Sequence, residues 1–200
     1  MFYIIVHIIQ KHKWYLYFFV KFCWKYKNYI KASDGGVTIS GGEPLIQSDF
    51  IIELFTKLHE HGISTCIDTS GMFPLTDKIK KVIDVTDIFL LDIKCINDDI
   101  CTWLTGHSNK LELEFARYIS NCGKRLWIRQ VLVPGITDKE SDLVLLRDFL
   151  KTINVEKFEF LGYHDLGKYK WEKLGFKYEL ENTPIATKDD LDRAYSIINS

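Results

Sequence analysis

Residues 36–71 read GVTISGGEPLIQSDFIIELFTKLHEHGISTCIDTSG, and the periodicity of this stretch decides the fold class. Residues 36–40 form a short β-rich run. Residues 48–61 place Phe50, Ile51, Leu54, Phe55 and Leu58 on one helical face. Gly62 stops that helix, and residues 63–68 are β-rich again. A strand, a helix and a second strand in so short a span read as a βαβ unit, in which the two strands run parallel.

The alternation continues outward. Residues 21–31 read as the end of a helix. Downstream come a helix over 75–83, a strand over 87–93 and a helix over 111–121. A strand over 125–133 follows, then a helix over 139–152 with Thr137 or Asp138 as its N-cap. A strand over 157–161 and a closing helix over 188–198, capped by Thr187, complete the series. The run DIFLLDI (87–93) is continuously apolar in its middle, as buried parallel strands are. The pattern predicts an α/β chain of five strands, with a parallel sheet either open or curled into a barrel. No linker or low-complexity tract interrupts it. Residues 20–200 are expected to form one domain, and residues 1–19 stay unassigned.

Bulk properties narrow the classes. The chain has 200 residues, 46% hydrophobic and 26% charged, with a formal net charge of -1. No global field therefore points to nucleic acid or to an anionic surface. Five cysteines (Cys23, Cys66, Cys95, Cys101 and Cys122) stand at irregular spacings. An odd, irregular set argues against a disulfide framework and for a reducing, cytoplasmic setting. Each reads best as a small buried apolar residue. Apolar runs at 2–9 and 14–20 are separated by Lys11, His12 and Lys13. Neither reaches the roughly 20 residues that span a bilayer, and neither is flanked as a signal peptide would be. The expectation is a chain with no membrane and no nucleic-acid partner, with a membrane-surface segment near the N-terminus as the lesser reading.

The unusual polar residues fall where the strands end, which is where parallel α/β folds collect their chemistry. Gly41 and Gly42 allow a tight turn and close approach of backbone to a ligand. Pro44 suits a first helical turn. Glu43 either serves that helix start or accepts bonds from an ammonium. Asp68 and Asp92 close neighbouring strands and repel unless a cation lies between them. Lys94 is one such cation, and a simple loop-capping ion pair is the other reading. Arg129 lies on an alternating strand and needs an anionic partner if buried. His164, after an apolar strand, either caps a turn or meets a ligand.

Five segments then carry a resemblance. They are GGVTISGGEPLIQ (35–47), CIDTSG (66–71), LLDIK (90–94), WIRQVLVPGITD (127–138) and YHDLGKYKWEKLG (163–175). In order and approximate spacing they resemble the radical S-adenosylmethionine (SAM) enzymes that activate glycyl radical enzymes, most closely the pyruvate formate-lyase type. The likeness covers residues 20–198. It implies a partial (β/α) barrel in which Gly41, Gly42 and Glu43 hold the methionine end of SAM. It further implies SAM contacts from Asp92, Ile93, Lys94 and His164, and Arg129 near SAM or the substrate peptide. Asp68 and Asp92 would be associated with a monovalent cation.

The implied chemistry is one-electron. A reduced [4Fe–4S] cluster cleaves SAM to methionine and a 5′-deoxyadenosyl radical, which takes a hydrogen from one glycine of the partner. The implied partners are the glycine loop of pyruvate formate-lyase and a reductant such as flavodoxin or ferredoxin. No ferredoxin-like cysteine insertion is present, which favours this type over activators of other glycyl radical enzymes. The family's cluster ligands stand as Cys-x-x-x-Cys-x-x-Cys after the first strand, and this chain contains no such motif. No catalytic residue and no cluster ligand is therefore assigned. The first strand and cluster loop are expected to be missing, leaving the edge beside residues 36–40 open and solubility poor. A truncated or mis-started product, a decayed copy, or a non-catalytic remnant that keeps SAM or partner binding would each account for this.

Overall fold

The computed structural model describes the backbone of residues 3–7 and 13–200, and side chains from residue 16 onward. The elements in chain order are β1 (Tyr3–His7), α1 (Lys13–Lys25), α2 (Lys27–Ala32), β2 (Gly36–Ser40), a 3-10 turn (Pro44–Gln47), α3 (Ser48–Glu60), β3 (Ser64–Thr69), α4 (Asp77–Asp84), β4 (Ile88–Asp92), α5 (Asp98–Thr105), α6 (Lys110–Asn121), β5 (Arg125–Leu132), α7 (Glu140–Leu150), β6 (Lys157–Gly162), α8 (Lys168–Lys173) and α9 (Lys188–Ile198). Strand order in the sheet follows the chain, β1 to β6. The α/β class read from the sequence is thus observed.

One expectation is corrected at the N-terminus. The sequence reading leaves the position beside β2 vacant. Here β1 occupies it, parallel, with Tyr3 opposite Gly36 and His7 opposite Ser40. Ladder pairing is a backbone property, so an apolar β-rich run can fill an edge without carrying any family motif. The rest of the early segment, residues 1, 2 and 8–12, lies outside the described residues.

The contacts divide the chain into two compact units. The first comprises the described residues up to Asp92, with Leu111–Ile128 and Asn154–Lys157. Strands β2, β3 and β4 pair in parallel register, Val37 with Thr65 and Ile67 with Phe89. Ile51, Leu54, Phe55 and Leu58 of α3 are fully buried, so the helical stripe is the core face, each side chain contributing about 1.5–3 kcal/mol. Phe50, at the margin of that stripe, is half-buried and meets Phe19 of α1 edge-to-face. Thr76 caps α4 through Ile79 N. Phe115 of α6 packs edge-to-face on Phe89, with centroids 6.0 Å apart.

The second unit comprises Ile93–Lys110, Arg129–Ile153 and Phe158–Ser200. Leu132, Leu143, Leu146, Phe160 and Ala194 form its core. Thr187 caps α9 as expected, in a capping box with Asp190. The expected cap of α7 is corrected: its N-cap is Lys139, which makes no side-chain cap bond. Thr137 and Asp138 are already engaged in the preceding turn. The Thr137 hydroxyl accepts from Val133 N and donates to Val131 O. Asp138 accepts from Gly135 N at 2.7 Å and pairs with Arg193. Bonds within the preceding turn, with Arg193 as the distant partner, displaced the cap. Helix α5, not anticipated from the sequence, is capped by Asn97, which accepts from Asp99 N and Ile100 N. Asn109 holds the segment beneath it by donating to Cys95 O and Ile96 O. Among the described residues, no helix is long and apolar enough to cross a membrane.

Candidate functional site

The carboxyl end of β2 turns sharply. Gly41 sits at φ 97° and Gly42 at φ 47°, a region other residues enter only with strain. Glu43 returns to extended geometry, and Pro44 opens the 3-10 turn. Pro44 and Leu45 are buried, which fastens the turn from below.

The Glu43 carboxylate is the hub of this end. Its Oε1 accepts from the Thr69 hydroxyl at 2.7 Å and from Leu45 N at 3.1 Å. Its Oε2 accepts from the Ser70 hydroxyl at 2.7 Å and Ser70 N at 3.0 Å. Four donors on one carboxylate tie the end of β2 to the end of β3 and keep the glycine turn in place. The sequence reading offered Glu43 as a helix-start residue or as an acceptor for a ligand ammonium. The structure realises the first and adds a tie to Thr69 and Ser70 that the reading missed. The two hydroxyls directly after Asp68 were the only signal for it.

Asp68 and Asp92 stand at the ends of β3 and β4. Asp68 is in register with Leu90, two residues before Asp92, so both aspartates lie on one face of the sheet. Both are half-buried, and Ser40 donates to Asp68 at 3.2 Å. Gly71 closes the β3 turn at φ 66°, and a Cβ there would come within 2.5 Å of Leu91 and 3.1 Å of Phe115. Only glycine fits on both counts. The first unit therefore gathers Gly41, Gly42, Glu43, Asp68 and Asp92 at the carboxyl ends of three adjacent strands.

In the second unit, Ile93 is fully buried, and its N–H donates to Arg129 O at 2.9 Å. Its side chain is thus a packing group. Lys94 is half-buried. Arg129 is half-buried on the β5 face that alternates with buried Ile128 and Gln130. His164 is exposed and follows Tyr163, which is anchored. Tyr163 N donates to Leu132 O, and its carbonyl accepts from Ala186 N. The Tyr163 and Tyr178 hydroxyls share a 2.8 Å hydrogen bond. Burial, and then this bond, raise the Tyr163 phenol well above the ordinary tyrosine range, so it stays neutral. The Tyr-His pair therefore splits into an anchor and a presented imidazole.

The cysteines do not fit an iron–sulfur cluster. Cys23, Cys66, Cys95 and Cys101 are buried, and Cys122 alone is exposed. Burial pushes the Cys23 thiol up to about 11, away from the thiolate a metal needs. Among the described residues no three His, Cys, Asp or Glu side chains are grouped to hold a metal ion. No residue before Cys23 is a cysteine.

Comparison with known proteins supplies the family. Residues 25–146 match the radical SAM superfamily model. The chain is 46% identical over 172 residues to the pyruvate formate-lyase-activating enzyme of Streptococcus mutans, covering 83% of this chain and 65% of that protein. It is 47% identical over 180 residues to the enzyme of the same name from Staphylococcus epidermidis, covering 87% and 72%. Among solved structures, a domain of pyruvate-formate lyase-activating enzyme from Bacteroides vulgatus superposes with a TM-score of 0.68 at 21% identity, over 82% of this chain and 93% of that one. SuiB of Streptococcus suis, bound to S-adenosylmethionine, gives 0.64 at 20% identity over 90% and 40%. These structural matches show the radical SAM fold, and the sequence matches carry the rest: the chain belongs to the radical SAM superfamily, within its pyruvate formate-lyase-activating enzymes.

Proposed function

We propose that this chain binds SAM at the carboxyl ends of β2, β3 and β4 and serves the activation of pyruvate formate-lyase. The observation that carries the reading is the Glu43 carboxylate, which accepts from Leu45, Thr69 and Ser70 and fixes the Gly41–Gly42 turn. SAM presents an ammonium, a carboxylate and a sulfonium. Side-chain-free backbone at Gly41 and Gly42 offers acceptors to the ammonium without steric cost. Glu43 holds that backbone in position. Asp68 and Asp92, on one face, would hold a monovalent cation that offsets the ligand carboxylate. Ile93, Lys94, Arg129 and His164 are proposed as SAM contacts on the matching motifs alone. Support for SAM as the ligand comes also from SuiB, which shares the fold and was solved with SAM bound.

Radical formation in this family requires a [4Fe–4S] cluster, and the cysteines of this chain do not fit one. No step of the radical reaction is therefore assigned to these residues. Recognition of the glycine loop of pyruvate formate-lyase, a reductant such as flavodoxin or ferredoxin, and a cytoplasmic setting belong to the same proposal. The pyruvate formate-lyase partner is supported by the name of relatives of which this chain spans 65% and 72%; the reductant rests on the motif resemblance alone, and the cytoplasmic setting on the cysteine pattern.

Isothermal titration of the purified chain with SAM is the test. Saturable binding is expected, weakened at least about tenfold (roughly 1.4 kcal/mol) by Gly42→Val. Absence of SAM-dependent heat in the intact chain would sink the proposal. Anaerobic reconstitution with iron and sulfide is expected to leave no stable cluster, and a reduced-cluster EPR signal that changes on adding SAM would overturn that part.

A further inference from the structure

Helix α1 and the short α2 behind it carry a surface that the SAM site does not use. Inward, Leu16, Cys23 and Ile30 are buried. Outward, the face is aromatic: Tyr17 is 70% exposed, Phe18 53%, Trp24 57% and Tyr29 69%. Phe18 and Phe22 stack with centroids 6.3 Å apart. Large aromatic side chains exposed together on one face mark an interaction surface.

The charge on the same segment has one sign. Residues 13–33 contain Lys13, Lys21, Lys25, Lys27 and Lys31 and no acidic residue, although the whole chain has a net charge of -1. Lysine and aromatic groups interleave. The Lys21 ammonium lies 6.0 Å from the Tyr17 ring centroid, and that of Lys25 lies 5.8 Å from Tyr26. An open groove of about 810 Å³ runs among Phe18, Lys21, Phe22, Trp24, Lys25 and Lys27.

We propose that this face lies on an anionic lipid surface. Exposed Trp, Tyr and Phe suit the boundary between headgroups and acyl chains. Lysine stems run along apolar surface while their ammonium groups reach the phosphates. At 13 residues the helix is about 20 Å long, too short to span a bilayer and sufficient to lie in its surface. A second copy of the chain is disfavoured, because a two-fold contact would set lysines against lysines. An acidic protein is disfavoured too, because protein interfaces are depleted of lysine and enriched in arginine, and residues 13–33 contain no arginine. The sequence reading expects no membrane partner and keeps a membrane-surface segment as its lesser alternative; the exposed face favours that alternative.

The test is co-sedimentation of the intact chain with vesicles of phosphatidylcholine alone and of phosphatidylcholine mixed with phosphatidylglycerol. Binding is expected to the mixed vesicles only, and to fall as salt is raised. The double variant Lys21→Glu/Lys25→Glu is expected to lose at least about tenfold in vesicle affinity, and Trp24→Ala to bind more weakly. Circular dichroism of each variant checks that the fold is kept, and Lys21→Gln/Lys25→Gln serves if charge reversal unfolds the chain. No binding to mixed vesicles overturns the proposal, as does equal binding by the charge variant. Self-association abolished by Trp24→Ala, or capture by polyglutamate without capture by mixed vesicles, also overturns it.

Discussion

The two ends of strand β3 solve the same problem differently. At its amino end, Asp87 accepts from Thr65 N at 2.8 Å, from the Thr65 hydroxyl at 3.2 Å and from His59 Nε2 at 3.0 Å. At its carboxyl end, Glu43 accepts from Thr69, Ser70 and Leu45. Each carboxylate gathers a strand end, so the gathering itself says nothing about function. The difference lies in what stands beside the tie. The carboxyl end adds two glycines at positive φ and two further carboxylates on one face. The amino end has a single glycine at positive φ, Gly62, and no such pair. A polar knot is ordinary stabilisation; bare backbone held beside charge is what the proposed SAM site adds to it.

The sharpest way to break this comparison is Gly71→Val. The new side chain meets Leu91 and Phe115 at a positive φ, and a loss of about 3 kcal/mol or more is expected in urea unfolding. A loss under about 1 kcal/mol would mean that the β3 turn relaxes freely. Glu43→Ala comes next. It strips partners from the Thr69 hydroxyl and from the Ser70 hydroxyl and N–H, costing about 2 kcal/mol. SAM affinity should fall with it, and Glu43→Gln should recover part of both.

Gly42→Ala is expected to cost only about 1 kcal/mol, since a Cβ there meets nothing within 4 Å. Thermal denaturation of Gly42→Ala beside Gly71→Ala separates backbone strain from crowding. The smallest effect concerns acid stability at the amino end. Burial raises the Asp87 carboxyl, but hydrogen bonds from Thr65 and His59 outweigh it and leave it below its ordinary value. Its stabilisation is thus complete above the unfolded-state value and is lost as pH falls through the lower folded value. His59→Ala should move the acid-unfolding midpoint to higher pH, followed by circular dichroism. An unchanged midpoint would show that Thr65 alone sets the depression.

Much of this was legible before any coordinates. The stripe of α3 became a core face because periodicity of burial is a local property of the helix. Thr187 capped α9 because a cap needs only its own next residues. Thr137 and Asp138 did not cap α7, because Val131, Val133, Gly135 and Arg193 reached them first. Strand β1 was missed because edge pairing leaves little trace in side-chain order. The site divides in the same way. Gly41, Gly42, Asp68 and Asp92 stood out at strand ends by residue type, whereas the partners of Glu43 did not.

The sequence by itself determined that the chain is α/β, which family its motifs match, and that no Cys-x-x-x-Cys-x-x-Cys is present. These are matters of period, order and composition, and no folding is needed to read them. Only the tertiary structure decided that Glu43 is a tie between strands and that Tyr17, Phe18, Trp24 and Tyr29 are exposed. Each of those depends on which distant atoms arrive within hydrogen-bond or contact distance, and a linear pattern does not encode that arrival.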